Sequence, residues 1–504
     1  PLFVPGQNIP PLVMLVMGRD HTLYYEAYND ATDLDGDDKL DTYFRPVTNT
    51  DGDAITYYGY FDSGKCYTYE SSVFVPTGTT TTGKCKSEGG GGRWSGNFLN
   101  YLTTSRIDAL RKVLYGGMRQ DRTANQPVLE RAYIPQDAHS WGKTWDPKIM
   151  NTAAKGNLLL SDYSDLDDSF GYLFANTTVR GPGNSEASTN VPLLRVLKLT
   201  ANMTPTSSGD VTSVDFSGTT NSWGRTKMTS IGGNKWQVKV SFTGGTSQRF
   251  KFVLNDATWL GDDNKDGKAA ANEADIYNSV VGDRWVIFNA NTYRYTLSNT
   301  PDPGTRIYVW NWVSKATPVA DTSVDNISGS VSPSDFTVRV RACVSGLLEK
   351  NCKQYGSNYF PVGLLQNYGE GEEPKMYFGL LTGSYKNNTK GGVLRAKIGK
   401  MDDEVDTATG KYKSRTGGGG IISTLDKLRV TKFSSAGNYS TNCGWITSRA
   451  INNGECSSWG NPIAEMIYES LRYFAGAQAA SPDFTVSGGD ELSLVEDGWD
   501  DPFA

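Results

Sequence analysis

Residues 11–17 read PLVMLVM, six uncharged apolar side chains in a row behind a proline. The run is far shorter than the roughly 20 residues needed to cross a bilayer. Nor does it alternate, as a strand with one wet face would. It reads as a strand buried on both faces, the central strand of an α/β sheet. Outward from it the chain changes character, with polar, acidic and aromatic residues up to Tyr60 and then a Thr- and Gly-rich loop that ends at Gly89–Gly92. In WSGNFLNYLTTSRIDALRKVLYGG (94–117), Phe98, Leu99, Leu102, Ile107, Leu110, Val113 and Leu114 recur near helical spacing, and Gly116 and Gly117 stop the helix. A second Gly-rich loop, Gly417–Gly420, precedes IISTLDKLRV. The last helix is expected in NPIAEMIYESLRYFAG, with Asn461 as N-cap and Pro462 at the first helical position.

Between Val211 and Leu297 the pattern becomes short alternating segments: VTSVDF, KWQVKVSF, QRFKFVL, RWVIF and YRYTL. Strands at this spacing predict a small antiparallel β-sandwich. The flanks, NMTPTSSGD and SNTPDPG, have linker composition. The expected organisation is therefore an α/β domain in two parts, residues 1–205 and 304–504, around an all-β insert at 206–303. A chain of 504 residues exceeds what one core supports. With 38% hydrophobic and 12% aromatic residues it has cores to bury, and its 55 glycines favour strands and long loops over helices. The net charge of −6 comes without any basic block, which argues against nucleic acid as a partner. No apolar run is long enough for a membrane-spanning segment.

Six cysteines fall into three local pairs, Cys66 with Cys85, Cys343 with Cys352, and Cys443 with Cys456, none with the spacing of a zinc or redox site. They read as three short-loop disulfides, nearest neighbour to nearest neighbour, and place the chain in an oxidising, extracytoplasmic compartment. Other pairings stay open from sequence alone.

The sharpest chemical signal is DDNKDGKAAANE, residues 262–273. Asp262, Asn264 and Asp266 alternate so as to converge on one ion, Gly267 allows a sharp turn, Lys268 offers a carbonyl and Glu273 closes the site. Oxygen ligands alone select a hard cation, calcium, with a solvated acidic turn as the alternative. A less complete version is DLDGDDKLD, residues 33–41, in which Asp33, Asp35, Asp37, Lys39 and Asp41 would surround calcium. Its twelfth position is Phe44, so a closing carboxylate would come from elsewhere, such as Asp30. For catalysis the chain offers little, and it does not read as an enzyme. Its two histidines, His21 and His139, sit in no catalytic or metal-ligand spacing, and the Gly-rich loops lack the GKS/T of a phosphate site. Asp137 beside His139 would make an acid–base pair, but a loop histidine bonded to a neighbour is the simpler reading.

YYGYFD (57–62), WSGNFLNYLTTSRIDALRKVLYGG (94–117), IPQDAHSWGK (134–143), GLLQNYGE (363–370) and YFGLLTGSYKNNTKGGVLR (377–395) together resemble the PilY family of type IV pilus adhesins and assembly factors. The resemblance covers most of the chain outside the insert. It implies a von Willebrand factor type A-like, Rossmann-like domain at the N-terminal end of a longer protein. It also implies export through the periplasm to the cell surface at the pilus tip, minor pilins as partners, and adhesion to a host or abiotic surface. Von Willebrand type A domains hold a divalent ion with Asp-x-Ser-x-Ser after the first strand. Here Gly18-Arg19-Asp20-His21 stands there, and Gly460-Asn461-Pro462 replaces a later Gly-Thr-Pro, so that site is expected to lack its metal. In the insert, GTTNSWGRTKMT (218–229), KWQVKV (235–240), FKFVLND (250–256), Trp259 and NSVV (278–281) resemble an immunoglobulin-like, carbohydrate-binding sandwich of the starch- and glycogen-binding type, which makes Trp223, Trp236 and Trp259 candidate sugar-stacking residues, with structural tryptophans as the alternative. A secreted carbohydrate-binding or carbohydrate-processing protein is thus the competing reading, and glycan the competing partner.

Overall fold

The structure is a computed structural model that describes residues 10–38, 40–88, 90–135, 139–179, 191–199, 211, 213–232, 235–243, 248–290, 292–300, 334–415, 419–431, 449–486 and 491–503. It is mixed α/β and rich in sheet. Residues 1–169, 173–197 and 333–504 form one compact unit, and residues 170–172 with 198–332 form another.

In the first unit the apolar run is the strand Leu12–Met17, paired in parallel with Tyr377–Gly383, which pairs in turn with antiparallel Gly392–Gly399. Successive side chains of a strand point to opposite faces. Accordingly, Val13, Leu15 and Met17 join a cluster with Ile107, Leu380 and Ile421, while Met14 and Val16 pack with Leu381, Met466 and Phe484. The run is apolar throughout because each face has its own core. The expected central position is not seen among the described residues. Among the described residues this strand lies at the edge of its sheet and Tyr377–Gly383 lies in the middle. Composition reports what covers a strand's faces, whereas its lateral neighbours are set by segments far along the chain.

The predicted helix at 94–117 is two helices, Gly96–Thr103 and Arg106–Tyr115. Thr104 is extended and Ser105 caps the second helix, its hydroxyl accepting from the Asp108 N–H at 3.3 Å. Hydroxyl residues compete for backbone hydrogen bonds and favour such caps, so Thr103-Thr104-Ser105 breaks the helix where apolar spacing alone would continue it. Gly116 ends the second helix in the left-handed region, at φ 88°. The last helix spans Ile463–Phe474 with Pro462, not Asn461, at the N-cap. Asn461 instead lies against Gly18, where a Cβ would come within 2.4 Å of the Asn461 amide oxygen.

Two buried asparagines fix the YYGYFD segment to the Gly96–Thr103 helix. Asn97 Oδ1 accepts from Tyr57 N at 2.7 Å, and Asn100 accepts from Phe61 N at 3.1 Å while donating to the Tyr57 and Phe61 carbonyls at 2.8 and 2.9 Å. Cys66–Cys85 and Cys343–Cys352 are disulfides, and Lys65 beside the first ion-pairs at 2.7 Å with Glu349 inside the loop of the second. Cys443, in the third expected pair with Cys456, lies outside the described residues.

The second unit holds two antiparallel sheets. One orders Thr226–Lys227, Val214–Gly218, Gln248–Leu254 and Thr258–Leu260, and the other orders Thr229–Gly232, Lys235–Phe242, Gly282–Asn289 and Arg294–Ser298. Phe216, Phe250 and Phe252 from the first and Phe242, Val286 and Phe288 from the second share one core. All five alternating segments read from the sequence contribute strands here, VTSVDF from Val214 and YRYTL from Arg294. Among the described residues no helix is long and apolar enough to cross a membrane.

Candidate functional site

The loop 262–273 leaves the strand Thr258–Leu260 and is closed by paired backbone bonds between Gly261 and Ala270 at 3.0 and 2.7 Å. Asp262 is 1% exposed. Its carboxylate accepts from the N–H groups of Asp266 at 3.2 Å and Gly267 at 3.0 Å and from the Tyr295 hydroxyl at 2.7 Å. Asn264 Oδ1 accepts from Asp266 N at 2.9 Å, and Asp266 Oδ1 accepts from Lys268 N at 2.7 Å. Gly267 sits at φ +76°, where a side chain is strained. Lys268 forms a bridge with Arg294. Glu273 returns over the turn and accepts from the Asn264 amide at 2.7 Å through Oε1, while Oε2 is buried without a hydrogen-bond partner. Partial burial, and then the charges of Asp262, Asp263 and Asp266, push the Glu273 carboxyl up. A carboxylate oxygen that is shut from water, lacks a donor and has three acids nearby is what a hard cation relieves. Asp262, Asp266 and Glu273, however, do not bring one oxygen each within 4.8 Å of the others.

In the loop 33–41 the structure brings together Asp33, Asp35 and Asp37, each offering an oxygen within 4.8 Å of the others. Asp33 accepts from Gly36 N at 2.6 Å and Asp38 N at 2.9 Å, and these amide bonds, Gly36 first, hold its carboxyl below the usual range. Asp41 is not in this grouping. It is 5% exposed, accepts from Leu34 N at 2.6 Å and is ion-paired with Arg45, which also reaches Asp35 at 2.5 Å. Asp30 does not close the loop, because Lys143 at 2.8 Å and the Tyr101 hydroxyl at 2.9 Å hold it. Lys39 lies outside the described residues. Arg45 supplies positive charge beside this group, which is nonetheless the acidic cluster whose oxygens converge.

Of the three tryptophans, Trp236 is 8% exposed, is part of the core shared by the two sheets and faces Phe288 across its strand pair. It cannot stack on a sugar. Trp223 and Trp259 are partly exposed, and the Arg225 guanidinium lies 5.6 Å from the Trp259 ring while pairing with Asp256 at 2.9 Å. His21 Nδ1 and His139 Nε2 are 2.9 Å apart, with Tyr25 stacked on His139 at 5.0 Å and Trp459 5.0 Å from His21. Asp20 caps the turn after the first strand by accepting from Thr22 N at 2.9 Å. Asp137 lies outside the described residues. Sequence reasoning missed Tyr295 and Arg45, each of which touches a candidate residue from a segment that carries no motif, and passed over Arg225 within the stretch 218–229.

The molecule is thus a β-rich α/β protein that carries two acidic loops. Two family models match it: the small alpha/beta domain of PilY1 homologs over residues 49–188, and the PilY1 homolog second domain over residues 378–504. A type IV pilus biogenesis factor PilY1 homolog of Xylella fastidiosa strain Temecula1 is 35% identical over 519 aligned residues, covering 97% of this chain and 26% of the relative. A second PilY1 homolog of that organism is 40% identical over 89 residues, 16% of this chain and 7% of its own length. Among solved structures, SusF from Bacteroides thetaiotaomicron matches 21% of this chain and 32% of its own at 16% identity and a TM-score of 0.16, a likeness that carries no structural argument. The chain belongs to the PilY1 homolog family and spans about a quarter of the length of the first of these relatives.

Proposed function

We propose that this chain is the N-terminal part of a longer protein that acts in type IV pilus biogenesis and in surface adhesion, with calcium ordering its loops. In this reading the protein is exported through the periplasm and works at the pilus tip beside minor pilins, where it engages a host or abiotic surface. The observation that carries it is the 35% identity over 97% of the chain to a relative named as a type IV pilus biogenesis factor. The parallel pair of Leu12–Met17 and Tyr377–Gly383, with cores on both faces, supports a von Willebrand type A-like scaffold whose ion motif is replaced by Gly18–His21. Calcium is assigned first to Asp262, Asn264, Asp266, the Lys268 carbonyl and Glu273, on the strength of the buried Glu273 oxygen, and second to Asp33, Asp35 and Asp37. Its role is structural, and no catalytic role is assigned to any residue.

The test is affinity purification of the tagged protein from sheared pili. Minor pilins should co-purify in calcium and be depleted in chelator. Recovery from pili with no minor pilin under either condition would contradict the reading. A second reading, glycan binding by an immunoglobulin-like, carbohydrate-binding-like insert, is favoured only by the exposure of Trp223 and of Trp259, the latter beside Arg225. A glycan array probed with the intact chain and with Trp223→Ala/Trp259→Ala tests it, since sugar binding that survives both substitutions would remove that platform from consideration.

A further inference from the structure

The helix Ile463–Phe474 carries more apolar surface than its own core uses. On its inner face Ile463 and Met466 pack with Leu381, Phe484, Met14 and Val16, and Tyr473 is buried on the same side. At about 3.6 residues per turn the opposite side is Ala464, Ile467, Tyr468, Leu471 and Ala475, a second apolar stripe. Ile467, Tyr468 and Leu471 are 47%, 65% and 60% exposed. A helix on a wet surface keeps its charges on the outer face. Here Glu465, Glu469 and Arg472 are confined to one flank, where Arg472 pairs with Glu469 at 2.7 Å. Scattered apolar side chains on a surface are ordinary, but residues three and four apart on a helix are neighbours, so these three form one patch.

We propose that this stripe is the docking face for the polypeptide that follows residue 504, which covers it with an apolar surface of its own. The inference rests on the reading of this chain as the N-terminal part of a longer protein. The relative aligned over 97% of this chain is covered over 26% of its own length, which leaves most of it to supply such a surface. The chain also departs from this place. The Trp499 ring stands edge-on to Tyr473 of the helix at 5.4 Å, the Arg472 guanidinium lies 5.9 Å from the same ring, and Phe503 beyond it is exposed. Residues after 504 therefore start near the last turn of the helix, at a high effective concentration. Three turns of helix offer on the order of a few hundred Å², well short of the roughly 800 Å² per partner that a stable complex of separate chains buries, so a second copy or a free subunit is not held by this stripe alone. A lipid surface recruits such helices through lysine and arginine on their polar face, and the one basic side chain of this helix, Arg472, is taken by Glu469.

The experiment uses the full-length protein with a photo-crosslinking phenylalanine analogue in place of Tyr468. Crosslinks mapped by mass spectrometry should join position 468 to residues beyond 504. Crosslinks confined to residues 1–504, to a second copy or to a pilus subunit, or no crosslink at all, would overturn this inference and leave the proposed function standing. A full-length protein that ends at residue 504 would overturn both. Should the Tyr468 variant fail to fold, hydroxyl-radical footprinting of the unmodified full-length protein decides. Tyr58 is 42% exposed in this chain and Tyr468 is 65% exposed, so a bare stripe makes Tyr468 the faster of the two to oxidise. A covered stripe reverses that order, and the inference requires the reversal.

Discussion

One oxygen of Glu273 accepts from Asn264 and the other is buried with no donor, close to Asp262, Asp263 and Asp266. Without a cation that oxygen is a liability, and with one it is a ligand. Glu273→Gln should therefore act in opposite directions: calcium affinity falls by at least about tenfold with the loss of a charged, bidentate ligand. In chelator the same change removes one of four crowded charges, and the second unit should melt no lower than wild type. Calorimetry in calcium and in chelator checks both halves, and equal destabilisation in the two buffers would mean a packing role. At Asp33–Asp41 the matching expectation is a weaker site, because Arg45 already pairs with Asp35 and Asp41. Arg45→Ala should weaken the fold there and not abolish calcium binding, which isothermal titration would read. The alternate-residue spacing of oxygen ligands was legible in the sequence at both loops. Arg45 and Tyr295 were not, because nothing local in FRPV or YRYTL marks a contact made across the fold.

At the scale of elements, caps explain most of what pattern reading missed. Apolar spacing runs through residues 98–114, but Thr104 and Ser105 split it, since a serine cap satisfies the amides at the start of the second helix. The helix Ile421–Lys427 begins instead on a distant carboxylate. Glu404 is 3% exposed and accepts from Ile421 N at 2.5 Å and Ile422 N at 2.8 Å, and burial pushes its carboxyl up. Glu404→Ala leaves two buried amides unpaired and should cost about 2–3 kcal/mol, with Glu404→Gln costing less because it keeps an acceptor. Thermal melts of the two variants test this, and a larger loss for Gln would refute the cap. The Cys343–Cys352 bridge closes a loop with a sequence separation of 9. Replacing both cysteines by serine should lower stability by about 2–3 kcal/mol, as chain-entropy arguments give for so short a loop. Denaturant unfolding without reductant measures it. That pairing was legible from proximity in sequence, and the docking of its loop through Glu349 onto Lys65 was not.

For the whole molecule, local alternation identified the strands of the second unit because each face of a sheet writes a period of two into the chain. The first unit was harder to read. Its parallel pair joins Leu12–Met17 to Tyr377–Gly383 across most of the sequence, and no local pattern encodes which strand sits beside which. Apolarity on both faces placed the strand in an α/β sheet, and among the described residues it lies at the edge there and not at the centre. The family, by contrast, was legible in long Trp-, Tyr- and Gly-rich stretches, whose local role is now visible in Asn97 and Asn100 bonding to the YYGYFD segment. The central claim is that this family membership carries pilus function, and its direct measurement is made on cells from which the gene has been deleted in frame and restored with a tagged copy. The deletion should strip most type IV pili from the surface, the restored copy should return them, and immunogold against the tag should mark one end of the pilus. Normal piliation in the deletion strain, with label absent from pili in the restored strain, would contradict the account.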